Sequence, residues 1–202
     1  MYFTENDTKM NTPSPKIILN GNEIEFKTEL SPMKTSTPQQ PTKYYRPSFD
    51  DYFMSIAHIV ATRSTCDRLR AGAVLIKDKR IIATGYNGAP SGLPHCDGEE
   101  GHKMEEGHCI RTLHAEENTI LQLASSGGTS SQGATLYTTH NPCYHCTKKI
   151  ITAGIKKVIC GTTYRDISPL KDLSKAGIVV EMYDSPKPEW IETLKHIFYN
   201  SR

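Results

Sequence analysis

Apolar positions recur along this chain in two periods, and the switches between them predict the order of its elements. From Ser48 onward, Phe49, Phe53, Ile56, Ala57 and Val60 are spaced as one face of a helix whose start Ser48 can cap. Apolar runs near 71–76 and 80–86 then read as two strands joined tightly through Lys77-Asp78-Lys79. Further on, 114–126 reads as a helix closed by Gly127, 134–139 as a strand, 143–153 as a helix closed by Gly154, and 157–160 as a strand. Ser168-Pro169 opens a short helix ending at Gly177, 178–183 is a strand, and 188–199 is an amphipathic helix carrying Trp190, Leu194, Ile197 and Phe198. A helix, two strands and then alternating helices and strands predict an α/β protein, with a five-stranded sheet covered by helices on its faces.

Two stretches escape this alternation. Residues 1–45 are rich in Thr, Pro, Ser, Asn and Lys and hold too little apolar material for a core, so they read as a flexible extension before a domain at 46–202. Within the extension, Asn20-Gly21 between apolar residues signals a hairpin over 16–26. The second stretch, 87–112, is rich in Gly, Pro, His and Cys and longer than an ordinary connection, which suggests a binding loop or one stapled by a metal.

Length and charge narrow the picture. A chain of 202 residues supports one sizeable core beyond that extension, and a formal charge of +2 demands neither nucleic acid nor a membrane surface as partner. No segment approaches the roughly 18 to 20 apolar residues of a membrane span, and the N-terminus lacks the form of a secretion signal, so a cytoplasmic protein is expected. In that setting the six cysteines read as ligands rather than disulfides, apart from Cys160, which ends an apolar run and is expected to be a buried thiol.

The chemistry concentrates in His114-Ala115-Glu116 and, downstream, Pro142-Cys143-Tyr144-His145-Cys146. A catalytic zinc takes three protein ligands and keeps a fourth position for water, and His114, Cys143 and Cys146 fill that count. Two thiolates so spaced can share one ion when the first lies at a helix start, where unpaired N–H groups and the dipole favour thiolate. Glu116 is close enough to share the site yet free of the ion, so it can carry protons from the water to a ring nitrogen and to departing ammonia. Cys-x-x-Cys alone also occurs in zinc ribbons and redox proteins, and His-Ala-Glu alone occurs by chance. Together, in this order and each opening a helical pattern, they form the signature of a zinc-dependent nucleobase deaminase. A further set, Cys66, Cys96, His102 and Cys109, with His95 and His108 nearby, has the soft ligands of a closed structural zinc; the alternative is free thiols in a loop held by a bound nucleotide.

Cys66-Asp67-Arg68, the Gly85–Gly92 run GYNGAPSG, the His108–Glu116 run HCIRTLHAE and the Tyr137–Cys143 run YTTHNPC resemble the deoxycytidylate deaminases, with the likeness extending over about 48–184. That resemblance implies a cytidine-deaminase-like fold, three-layer α/β/α with a mixed five-stranded sheet. It also implies conversion of dCMP to dUMP for thymidylate supply, by a homohexamer activated by dCTP and inhibited by dTTP, with Mg2+ accompanying the nucleotide effector. Residue by residue it makes His114, Cys143 and Cys146 zinc ligands, Glu116 the proton shuttle, and Arg68, Tyr164 and Arg165 contacts to the nucleotide phosphate. Asn87 is expected at the sugar hydroxyl, Ala115 at the substrate, and Gly88 and Ala89 at an effector. Some members carry a second zinc, with Cys where this chain has His102. Against this stand a deaminase acting on dCTP, on free cytidine nucleosides or on a base within nucleic acid, and a non-catalytic zinc scaffold of the same fold; a scaffold would not need Glu116.

Overall fold

The computed structural model describes residues 16–19, 22–25, 45–127, 129–163, 166–183 and 187–200. It divides into two compact units, Met1–Thr42 and Lys43–Arg202. In the first, β1 (Lys16–Leu19) pairs antiparallel with β2 (Asn22–Glu25), Leu19 opposite Asn22, so two residues connect them.

The second unit opens with α1 (Phe49–Ala61), and its start shows why the helix begins there. The Ser48 hydroxyl accepts from the Asp51 amide at 3.1 Å while the Asp51 carboxylate accepts from the Ser48 amide at 3.3 Å, a reciprocal cap. β3 (Gly72–Lys77) and β4 (Arg80–Tyr86) form a hairpin with Lys77 opposite Arg80. Its two-residue turn needs positive φ at both positions, and Asp78 and Lys79 adopt 50° and 60°. A second, minimal hairpin of β5 (Met104–Glu105) and β6 (His108–Cys109) lies inside the 87–112 insertion, turning through Glu106 and Gly107 at φ 46° and 77°.

From there helices and strands alternate: α2 (Ala115–Ser125), β7 (Thr135–His140), α3 (Tyr144–Thr152), β8 (Lys157–Thr162), α4 (Ser168–Lys175), β9 (Val179–Met182) and α5 (Pro188–Asn200). The sheet order is β4-β3-β7-β8-β9. The hairpin and β7 run antiparallel, whereas β7, β8 and β9 are parallel because helices cross between them. The mixed five-stranded sheet expected from the sequence is therefore the one observed.

The pleat divides the core into two. Ala73, Leu75, Leu136, Val158 and Cys160 pack with Ala115, Leu123, Ile150 and Leu173 of the overlying helices, and Val74, Ile76, Tyr137 and Ile159 pack with Phe53, Met54 and Ala57 of α1. Cys160 is fully buried, as its place in an apolar run predicts.

Helix α2 lies directly on β4. A Cβ at Gly85 would meet the Ala115 carbonyl and come within 2.5 Å of the Thr119 amide, both backbone atoms that cannot swing away. Gly85→Ala is therefore expected to cost about 1–3 kcal/mol, the usual range for overpacking, read as a lower urea midpoint with unchanged slope.

On the other face, the Tyr183 hydroxyl donates to Asp51 at 2.6 Å. Burial alone would raise the Asp51 carboxyl, but hydrogen bonds from Tyr183 and Ser48 hold it below its ordinary 3.8. A depressed native value means that its contribution to stability is complete above pH 3.8 and is lost as pH falls through the lowered value. Tyr183→Phe should shift the acid-unfolding midpoint upward, measurable by far-UV circular dichroism.

Candidate active site

The site grows from two helix starts. His114 and Cys143 are the N-cap residues of α2 and α3, both extended and neither capping with its side chain, which leaves imidazole and thiol free to point into the same space. Cys146, a turn into α3, points the same way and is 1% exposed. His114 Nδ1 lies 3.4 Å from Cys143 Sγ and 3.5 Å from Cys146 Sγ. All three donor atoms lie within 4.8 Å of one another. One borderline nitrogen and two sulfurs at this separation suit a zinc ion, with helix amides favouring the thiolates. The Cys143 thiol is drawn well below its ordinary range, first by its hydrogen bond with Cys146 and then by His114, against the effect of burial. Cys146 is pushed up by the same bond, so Cys143 is the first of the pair to ionise.

Glu116 is 6% exposed, and burial raises its carboxyl above the ordinary value. The Thr138 hydroxyl reaches its Oε1 at 3.5 Å while donating to the His140 carbonyl at 3.0 Å. A carboxyl whose hold on its proton is strengthened by burial, next to a three-donor cluster, is suited to general acid/base work.

Several contacts fix these parts relative to one another. Asn87, 6% exposed, accepts from the Ala115 amide at 3.0 Å and donates to the Leu69 carbonyl at 3.1 Å, so it satisfies an orphan N–H at the start of α2. One amide hydrogen and one lone pair of Asn87 are not used by these two bonds. Gly88 exchanges both backbone hydrogen bonds with Leu113, at 3.2 and 2.9 Å, tying the glycine-containing loop to the residue before His114; Ala89 follows half-buried. Glu117 of α2 pairs with Lys149 of α3, joining the two helices that carry the cluster.

The second set of ligand candidates also converges. Cys66, Cys96, His102 and Cys109 place one donor atom each within 4.8 Å of the others. Burial pushes the Cys96 thiol up to about 12, while a hydrogen bond with His102 draws Cys109 down to about 7 against burial. His95 and His108, the other imidazoles of the insertion, are not in this group. Arg68 donates to the Gly107 carbonyl at 3.1 Å, a contact with the insertion that the sequence did not predict. Tyr164 and Arg165, expected at the phosphate, lie outside the described residues. Thr138 and Asp67 stand inside the motif runs without a role of their own, and the Glu117–Lys149 pair lies outside them; only the fold reveals their contacts. A surface groove of about 300 Å³ lined by Phe49, Phe53, Lys77, Lys79 and Tyr137 sits at the opposite end of β7 from His140 and touches none of the ligand candidates.

Residues 47–162 match the family described as the cytidine and deoxycytidylate deaminase zinc-binding region. The chain belongs to this family. This deaminase-family chain is 46% identical over 140 residues to ComE operon protein 2 of Bacillus subtilis (strain 168), covering 69% of the chain and 73% of that protein. It is 38% identical over 154 residues to the deoxycytidylate deaminase of Saccharomyces cerevisiae, covering 72% of the chain but only 48% of the yeast protein. It thus spans about half the length of that relative. The crystal structure of dCMP deaminase from the cyanophage S-TIM5 in complex with dCMP and dUMP superposes on it with a TM-score of 0.61 at 33% identity, over 69% of the chain and 99% of the phage protein. The architecture is accordingly the cytidine-deaminase-like fold, three-layer α/β/α. Among the described residues no helix is long and apolar enough to cross a membrane.

Proposed function

We propose that this family member hydrolyses dCMP to dUMP and ammonia, with zinc held by His114, Cys143 and Cys146. The observation that carries this reading is the buried carboxyl of Glu116 beside the convergent His114, Cys143 and Cys146. A bare zinc scaffold has no use for a buried acid that costs free energy to keep. Zinc, when bound, supplies an acidified water of pKa about 7 as nucleophile. Glu116 would take one proton from the attacking water and pass it to ring N3, then take the second from the resulting C4 hydroxyl and deliver it to the leaving amine, which departs as ammonia. Asn87 and Ala115 hold the start of α2 against the loop that receives the nucleotide.

Phosphate recognition falls to Tyr164, Arg165 and those Arg68 donors not engaged by Gly107, since a guanidinium fork matches phosphate oxygens. Cys66, Cys96, His102 and Cys109 hold a second, structural zinc that staples the insertion. The product feeds thymidylate synthesis in the cytoplasm, and the enzyme works as a homohexamer activated by dCTP and inhibited by dTTP, with Mg2+ on the effector and Gly88 and Ala89 at its site. The likeness to the yeast and phage enzymes supports the substrate.

The test is ammonia release from dCMP, dCTP, deoxycytidine and CMP, each with and without dCTP or dTTP as effector. A kcat/KM for dCMP at least ten times that of any other is expected, whereas equal use of deoxycytidine would remove phosphate recognition from the scheme.

A further inference from the structure

We propose, resting on the reading of Cys66, Cys96, His102 and Cys109 as a second zinc site, that Asp67 is the positioning residue that aims His102 at it. An imidazole can bind a metal through either nitrogen, and the group holding the other nitrogen decides which. Here His102 Nε2 lies 2.7 Å from Asp67 Oδ1, and Nδ1 lies 3.4 Å from Cys109 Sγ. An ionised carboxylate only accepts, so Nε2 donates its proton to Asp67, and Nδ1 is the nitrogen turned toward the sulfurs and the one that can bind a metal in place of a proton. Cys96 Sγ stands 3.6 Å from Cys109 Sγ, completing the group.

The same contact explains how two distant segments are brought into register. Cys66 is 3% exposed and anchored, so the next residue projects outward and reaches a histidine 35 positions further along the chain. Arg68 follows with its bond to Gly107. Three consecutive side chains therefore take hold of the insertion through a thiol, a carboxylate and a guanidinium. The Asp67 side chain is 72% exposed and that of His102 23%, so the pair is too solvated to stabilise the fold much by charge alone. Orientation of a ligand is what it contributes, and loss of such a partner typically lowers metal affinity by about 10- to 100-fold.

The experiment loads full-length wild type, Asp67→Ala and Asp67→Asn with zinc and follows its release to a chromogenic chelator. Wild type should yield two equivalents per chain. Asp67→Ala should give up one of them at about 10- to 100-fold lower chelator, with the other equivalent unchanged. Asp67→Asn, whose amide oxygen still accepts from Nε2–H, should recover most of the loss. With cobalt(II) in the insertion site, the d–d bands should shift in Asp67→Ala as the imidazole leaves, while the sulfur charge-transfer band persists. Identical release curves and bands in wild type and Asp67→Ala would overturn the role of Asp67, as would Asp67→Asn releasing metal as readily as Asp67→Ala. A fully active wild type with one zinc per chain would instead overturn the second metal site itself.

Discussion

Glu116→Gln is expected to keep its zinc and lose deamination rate by at least about two to three decades, the range that a positioned acid/base supplies. The substitution preserves shape and removes only the ability to exchange a proton. Because Glu116 is 6% exposed and its carboxyl is raised by burial, an amide there relieves the cost of a buried acid. Thermal stability should therefore hold or rise while turnover falls. A carboxyl kept for structure would behave in the opposite way, with stability lost and rate spared. Zinc content by atomic absorption, a melting curve and initial rates on dCMP separate the two, and a variant retaining a tenth of wild-type kcat would remove Glu116 from the mechanism.

The fold was readable from the sequence wherever local signals agreed with tertiary packing. Ser48 announced α1 because its cap is made within a single turn, and Gly154 and Gly177 announced helix ends because both take positive φ, 71° and 75°. The β5–β6 hairpin was missed: its strands are two residues long, and Glu106-Gly107 is a weaker turn signal than Asn-Gly. Among the candidate site residues, the motif spacing indicated which side chains could share an ion. It could not indicate what holds them. The expected roles of Asn87 at a sugar and Arg68 at a phosphate gave no hint that Asn87 also binds the Ala115 amide and Leu69 carbonyl, or that Arg68 also holds Gly107. Such contacts depend on register across the sheet and on the path of the insertion, which no local period encodes. Thr138 is a related case, a member of the 137–143 run with no role of its own until β7 brings its hydroxyl within 3.5 Å of Glu116.

With the proposed second zinc in place, replacing Cys96 and Cys109 together by alanine is expected to remove one zinc equivalent and much of the stability of the second unit. Their thiols lie 3.6 Å apart, and with Cys66 and His102 they bring the insertion against the segment before β3. The insertion's own secondary structure is the two-residue pairing of β5 with β6, and its other ties are single polar contacts such as Arg68 with Gly107 and Arg111 with Glu100. A ligand bound only by the native state stabilises it by RT ln(1 + [L]/Kd), about 4 kcal/mol when free zinc is 1,000 times Kd. For a unit of this size that corresponds to a fall in Tm on the order of 10 °C. Metal binding requires thiolates, and with the Cys96 thiol pushed up to about 12, zinc uptake should release protons and weaken as pH falls. Because the insertion runs directly into His114 through the Gly88–Leu113 bridge, the double variant should also lose turnover while its catalytic zinc remains. Calorimetry with and without a chelator checks the stability arm. If the chelator shifts wild type and double variant equally, the insertion is held by protein contacts alone and its cysteines are thiols packed close together.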